Sequence, residues 1–200
     1  MAHMPEISQE TYKKILAVTS ERTPLEDNYQ YEEYHPWHIR TYGGNPIPIR
    51  MQPGECFSHT RLFLGESQVQ LGEIDRPQVD SIVNLCELDD IWPLKESDFR
   101  WPRGEGIFGY TWERLYEDTE EVVEQVRQGK VFLIHCMAGV NRSVTLTCST
   151  LMRIEGISAL DALLRVRRFR AAAHPEMRHW LVLRQLEIVY RAEAAEKGTI

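Results

Sequence analysis

The sequence predicts an α/β domain, and three observations lead there. Two short runs, SIVNLC (81–86) and KVFLIH (130–135), are almost continuously apolar and bounded by polar residues, the pattern of strands buried on both faces. Capped, 3.6-periodic segments lie between and after them. Strands interleaved with helices pack as helices against a largely parallel sheet.

The elements follow in order. Residues 5–20 carry a weak helical pattern with Ile7, Ile15, Leu16 and Val18 as its apolar members. From Arg22 to Glu55 the chain reads as irregular, broken by Pro24, Pro36, Gly43-Gly44, Pro46, Pro48 and Pro53-Gly54; its tyrosines and Trp37 suggest a packed wrapping segment. RLFLGE (61–66) reads as a strand, 69–76 as a short helix and FRWP (99–102) as a further short strand. Thr111 is placed to cap a helix to about Gln128 with Leu115, Thr119, Val122 and Val126 on one face, and Gly129 stops it. The strand KVFLIH runs straight into Cys136 and a loop. A helix follows to about Ile154, stopped by Gly156. Ser158 and Asp161 open the next helix in the manner of a capping box, and Pro175 suits the first turn of a last helix reaching about Ala194. The expected division is an N-terminal extension wrapping the core over 1–56 and one α/β domain over 57–195.

Bulk properties narrow the function. With 42% hydrophobic and 26% charged residues the composition is that of an ordinary globular protein. A net charge of -7 argues against a nucleic-acid coat, which needs a broad basic face. No apolar run is long enough to span a bilayer, and MAHMPEIS lacks the apolar core of a secretory signal. Cys56, Cys86, Cys136 and Cys148 form no C-x-x-C pair, which fits free thiols in a reducing, cytoplasmic compartment. HPWH (35–38) has two histidines three apart and no cysteine nearby; no metal site is expected there, and His174 and His179 read as structural.

The chemistry is concentrated in HCMAGVNRS (135–143). If residues 137–142 curl between a strand and a helix, the backbone N–H groups of Met137, Ala138, Gly139, Val140, Asn141 and Arg142 converge into an anion nest. The helix N-terminus adds positive potential. Gly139 permits the positive φ of a tight loop, and the Arg142 guanidinium matches two phosphoryl oxygens. Cys136 then lies beneath the bound phosphorus. A free cysteine is roughly 3% thiolate at pH 7, and the same amides and guanidinium lower its pKa until thiolate predominates. Ser143 can donate to the sulfur, and His135 is expected to orient the loop rather than to carry protons.

This string resembles the His-Cys-x5-Arg-Ser/Thr signature of the protein tyrosine phosphatase superfamily, and its Ala-Gly form is most similar to the dual-specificity branch. IVNLCE (82–87) and RRFRAAAHPEMRHWLVLRQLE (167–187) extend the likeness over about 57–192. The resemblance implies the cysteine-phosphatase α/β fold, a central sheet of about four to five strands with helices on both sides. It also implies phosphoester hydrolysis through a phosphocysteine, with neither metal nor cofactor. The implied partner is a phosphorylated protein, phosphotyrosine or dual-specificity substrates coming first. The uncharged loop positions weigh against highly phosphorylated lipids.

The family's general acid is an aspartate on a loop upstream of the cysteine, and here the chain departs from the pattern. RWPRGEG (100–106) resembles the Trp-Pro-Asp loop, but Arg103 stands in the aspartate's place. Glu105, 31 residues before Cys136, is the first candidate and Asp98, 38 before, the second; a third reading has no dedicated acid. Some relatives that act on RNA 5′-triphosphate ends dispense with the acid and carry Asn before the Arg, as Asn141 does here. An RNA 5′-phosphatase or small-molecule phosphatase is therefore the alternative on this fold. A phosphate-binding adaptor without turnover is the alternative of another class. Sulfurtransferases and arsenate reductases fit the framing poorly. By the same resemblance Cys86 is a redox partner for Cys136 or a core residue; Cys148, on an apolar face after the loop, reads as core. Arg165, Arg167, Arg168 and Arg170, with Arg100 and Arg103, are candidates for substrate contact.

Overall fold

The computed structural model describes residues 4–19, 47–49, 62–66, 80–85, 111–136 and 139–198. Its elements are α1 (Gln9–Ala17), β1 (Ile47–Ile49), β2 (Leu62–Glu66), β3 (Ser81–Asn84), α2 (Trp112–Arg127), β4 (Phe132–Cys136), α3 (Arg142–Glu155), α4 (Ala159–Phe169) and α5 (Met177–Glu196). The sheet runs β1-β2-β4-β3. β4 sits between β2 and β3 and is parallel to both, while β1 is antiparallel at the β2 edge. The α/β expectation therefore holds, with four strands among the described residues.

The apolar runs explain the centre. Val83, Leu133, Ile134 and Leu64 are completely or almost completely buried, as strands covered on both faces require. Asp80 fixes where β3 begins: its carboxylate accepts the Val131 N–H at 2.9 Å and its own N–H donates to the Val131 carbonyl. Cys136 pairs in register with Glu66, at the carboxyl end of the parallel strands, where α/β sheets place their ligands.

α3 is the hub of the helical layer. It packs on β4 and β2 and is surrounded by α2, α4 and α5. Every residue from Ser143 to Met152 is buried, polar ones included. A buried hydroxyl needs a partner: Ser149 Oγ lies 2.7 Å from Thr119 Oγ1 of α2, and Thr150 donates back to the Leu146 carbonyl. The caps fall where the sequence puts them. Thr111 accepts the Arg114 N–H and Ser158 accepts that of Asp161, while Gly156 ends α3 at φ 66°.

Four boundaries are corrected. β1 lies inside the stretch read as irregular: Pro48 argues against a central strand, but the edge of a sheet tolerates proline. β4 starts two residues later, at Phe132, and ends one later, taking in Cys136, because the ladder to β2 continues that far. β3 ends at Asn84 rather than 86. α5 starts at Met177 rather than Pro175, since Glu176 is the cap residue, whose carbonyl accepts the Trp180 N–H. α1 packs on α5, burying Ile15. The helix expected over 69–76 and the strand over 99–102 lie outside the described residues.

Candidate active site

The site forms where β4 hands over to α3. β4 ends on Cys136 and α3 starts on Arg142, so the turn between them is short and both functional side chains stand on regular structure. Gly139 takes φ 63°, the left-handed conformation that glycine adopts at no steric cost. Asn141 occupies the cap position of α3, yet its side chain makes no capping bond. The first-turn N–H groups of α3 therefore have no side-chain acceptor from their own cap, the condition in which a helix N-terminus receives an anion.

Cys136 is 3% exposed, and its Sγ lies 3.1 Å from Ser143 Oγ. Burial alone would push the thiol pKa up. Four contacts outweigh it and hold the pKa below the ordinary value: the Ser143 hydroxyl, the Ser143 backbone N–H, the Arg142 charge and the Gly139 N–H. All four come from Gly139 and the first turn of α3, so the start of α3 and its approach favour the thiolate against burial. Cys148, one face further along α3, has burial without those contacts, and its thiol is pushed up strongly. The two buried cysteines thus differ in their surroundings, one thiol pushed down and the other up.

His135 is fully buried in β4. Burial drives its pKa down to about 4 against the opposing effect of the Cys136 backbone, so the imidazole is neutral near pH 7 and suits an orienting role. Arg142 is half-buried, and no carboxylate pairs with it among the described residues. Its charge is felt at Cys136 and also at His179 on the first turn of α5. Burial first, then that guanidinium, hold His179 at about 4.

The sequence reading missed this second wall of the site. The segment before α5 grips the loop: the His174 N–H donates to the Val140 carbonyl at 2.8 Å, and the Glu176 N–H donates to Asn141 Oδ1 at 3.0 Å. These pairs are separated by more than thirty positions in the chain, and no local pattern signals them. Asn141, which by resemblance pointed to RNA-end substrates, has its amide oxygen engaged in this contact.

The other candidates divide. Arg165 is held by Glu155 and Arg170 is buried, so neither belongs to a free basic surface. Arg168 is exposed. Met137, Ala138, Cys86, Cys56, Asp98, Arg100, Arg103 and Glu105 lie outside the described residues. Among the described residues no three His, Cys, Asp or Glu side chains gather so as to hold a metal ion, and no helix is long and apolar enough to cross a membrane.

Comparison with known proteins agrees with this geometry. Residues 66–189 match the family described as "Dual specificity phosphatase, catalytic domain". The human dual specificity protein phosphatase 14 is 31% identical over 149 residues, covering 70% of each chain. The mouse dual specificity protein phosphatase 22 is 35% identical over 75 residues, covering 37% of this chain and 41% of its own length. The chain thus spans less than half the length of the first relatives it matches. In three dimensions human DUSP28 superposes with a TM-score of 0.60 at 23% identity, over 73% of this chain and 95% of its own.

Proposed function

This chain belongs to the dual-specificity phosphatase family, and from that premise we propose that it hydrolyses phosphoesters through a phosphocysteine on Cys136, with phosphotyrosine-containing or dual-specificity protein substrates. The carrying observation is a buried cysteine whose pKa is nonetheless lowered by the loop around it. Burial without such contacts gives the opposite result at Cys148.

The steps follow from that arrangement. The Cys136 thiolate attacks phosphorus in line, forming an S–P bond as the ester P–O bond breaks and its electron pair leaves with the substrate oxygen. The loop N–H groups and the Arg142 fork hold the equatorial oxygens, which is mostly positioning and electrostatics. The leaving oxygen takes a proton from Glu105, or from Asp98 or solvent. Water then attacks phosphorus, the S–P bond breaks, and its electron pair returns to sulfur, where the Ser143 hydroxyl stabilises the departing thiolate. The freed proton returns to the acid. A thiolate nucleophile needs reducing surroundings, which suits a cytoplasmic location and leaves Cys86 as a candidate to shield Cys136 under oxidation.

The test is turnover of p-nitrophenyl phosphate and of phosphotyrosine and phosphoserine peptides with EDTA and reductant present, beside Cys136→Ser, Glu105→Gln and Asp98→Asn. The expected result is metal-independent turnover that Cys136→Ser abolishes. An acid variant should lose peptide activity more than aryl phosphate activity, by about 10²–10⁴-fold for a true general acid. No wild-type turnover on any of these, with a phosphopeptide still bound, would leave a phosphate-binding adaptor instead.

A further inference from the structure

The contact between Asn141 and the start of α5 has a consequence for the phosphatase chemistry, and the inference rests on that reading. We propose that Asn141 is a positioning residue whose side chain clasps the anion loop to the N-terminus of α5, holding Arg142 and Cys136 in alignment while leaving the donors of α3 to the phosphoryl group. An asparagine at a cap position ordinarily bonds the N–H groups of its own first turn. Here that would fill the site an anion must occupy. Instead the amide oxygen crosses to the Glu176 N–H at 3.0 Å, and α3 begins without a side-chain cap.

The residues just before Arg142 are pinned from two sides. Outside, Val140 and Asn141 accept N–H groups of His174 and Glu176. Inside, the Asn141 carbonyl accepts both the N–H and the hydroxyl of Thr145, each at 2.9 Å. Arg142 follows directly, and its charge reaches His179 one turn into α5. The α5 terminus is therefore a template for the loop: its backbone sets the path of 140–141, and the path sets where Arg142 emerges.

Proline substitution gives a selective probe. Glu176 has φ -58°, which the pyrrolidine ring accepts, so Glu176→Pro deletes the donated N–H and sets a ring methylene where it pointed, displacing the Asn141 side chain. The experiment compares wild type, Asn141→Ala, Glu176→Pro and the double variant by two readouts that need no turnover: the pH midpoint of Cys136 alkylation by iodoacetamide, and protection of Cys136 by inorganic phosphate. Each single variant should raise the midpoint and weaken protection about fivefold to tenfold, as loss of one hydrogen bond allows. The double variant should be no worse than either single one, because both remove the same bond. Leu186→Ala, destabilised at a buried position of α5 away from the loop, should leave the midpoint where it is. Losses that multiply in the double variant, or a midpoint that Asn141→Ala does not move, would overturn the clasp. If Glu176→Pro does not fold, hydrogen exchange at the Glu176 amide decides: faster exchange in Asn141→Ala supports the clasp, and an unchanged rate overturns it. Wild type whose Cys136 phosphate does not protect would instead sink the phosphatase reading, and the clasp's catalytic purpose with it.

Discussion

Ser143 Oγ, on the first turn of α3, stands 3.1 Å from Cys136 Sγ at the end of β4. A hydroxyl bonded to an anionic sulfur contributes roughly 1.5–3 kcal/mol, or about one to two pKa units. Ser143→Ala should therefore raise the pH midpoint of iodoacetamide alkylation by that amount. It should also slow breakdown of the phosphocysteine, whose leaving group is the same thiolate, so that p-nitrophenol appears in a pre-steady-state burst. An unmoved midpoint would mean that the backbone N–H groups and Arg142 suffice.

Arg142 offers a test that separates charge from shape. Lysine keeps the positive charge but loses the planar fork. Arg142→Lys should lower kcat by about 10²–10³-fold, as for loss of a donor to developing charge, while the alkylation midpoint of Cys136 moves little. A large shift in the midpoint with modest loss of turnover would reverse that assignment.

Sequence made the centre of the molecule legible because local physics decides it there. The apolar runs are buried strands, Thr111 and Ser158 cap as their positions before the helices predict, and the Cys136–Arg142 interval brackets the turn between β4 and α3. Where it failed, distant contacts decide. Pro48 forbids a central strand but not the edge position that β1 occupies. Arg170 is charged, yet it is buried at 5% exposure by the turn after α4. His179 reads as a structural helix-start histidine, and only the fold brings it within reach of the Arg142 charge. Asn141 looks like a variable loop position, and only the spatial approach of Glu176 gives its side chain a partner.

Remote from the loop, Arg153 joins three helices. It pairs with Glu120 of α2 and Glu193 of α5 and lies over the rings of Tyr116 and Tyr190, while the Tyr116 hydroxyl donates to Glu193 at 2.8 Å. Arg153→Met leaves two carboxylates facing each other with no cation, which should cost about 3–5 kcal/mol. Adding Glu120→Gln should recover part of it. Arg153 sits about 16 Å along α3 from Arg142 at 1.5 Å per residue, so turnover well below the melting temperature should be unchanged. Chemical denaturation checks the first claim and an assay at low temperature the second.

Asp118 gives the fold a pH dependence of unusual sign. It is buried on α2, and burial raises its pKa to about 7. Arg114 opposes this, its Nε 3.2 Å from Oδ2, while Glu117 and Glu121 reinforce it. From about pH 4 to about 7 the native state holds a proton that the unfolded chain has released. Stability from this group therefore falls as pH rises through that window, and the full penalty applies above about 7. An amide at this position carries no charge at any pH. Asp118→Asn should therefore be more stable than wild type at pH 8, by a few kcal/mol at most, and should lose that advantage towards pH 4. Urea unfolding of both proteins at pH 5 and pH 8 measures it. An equal difference at the two pH values would mean that Asp118 is already ionised and satisfied by Arg114 throughout.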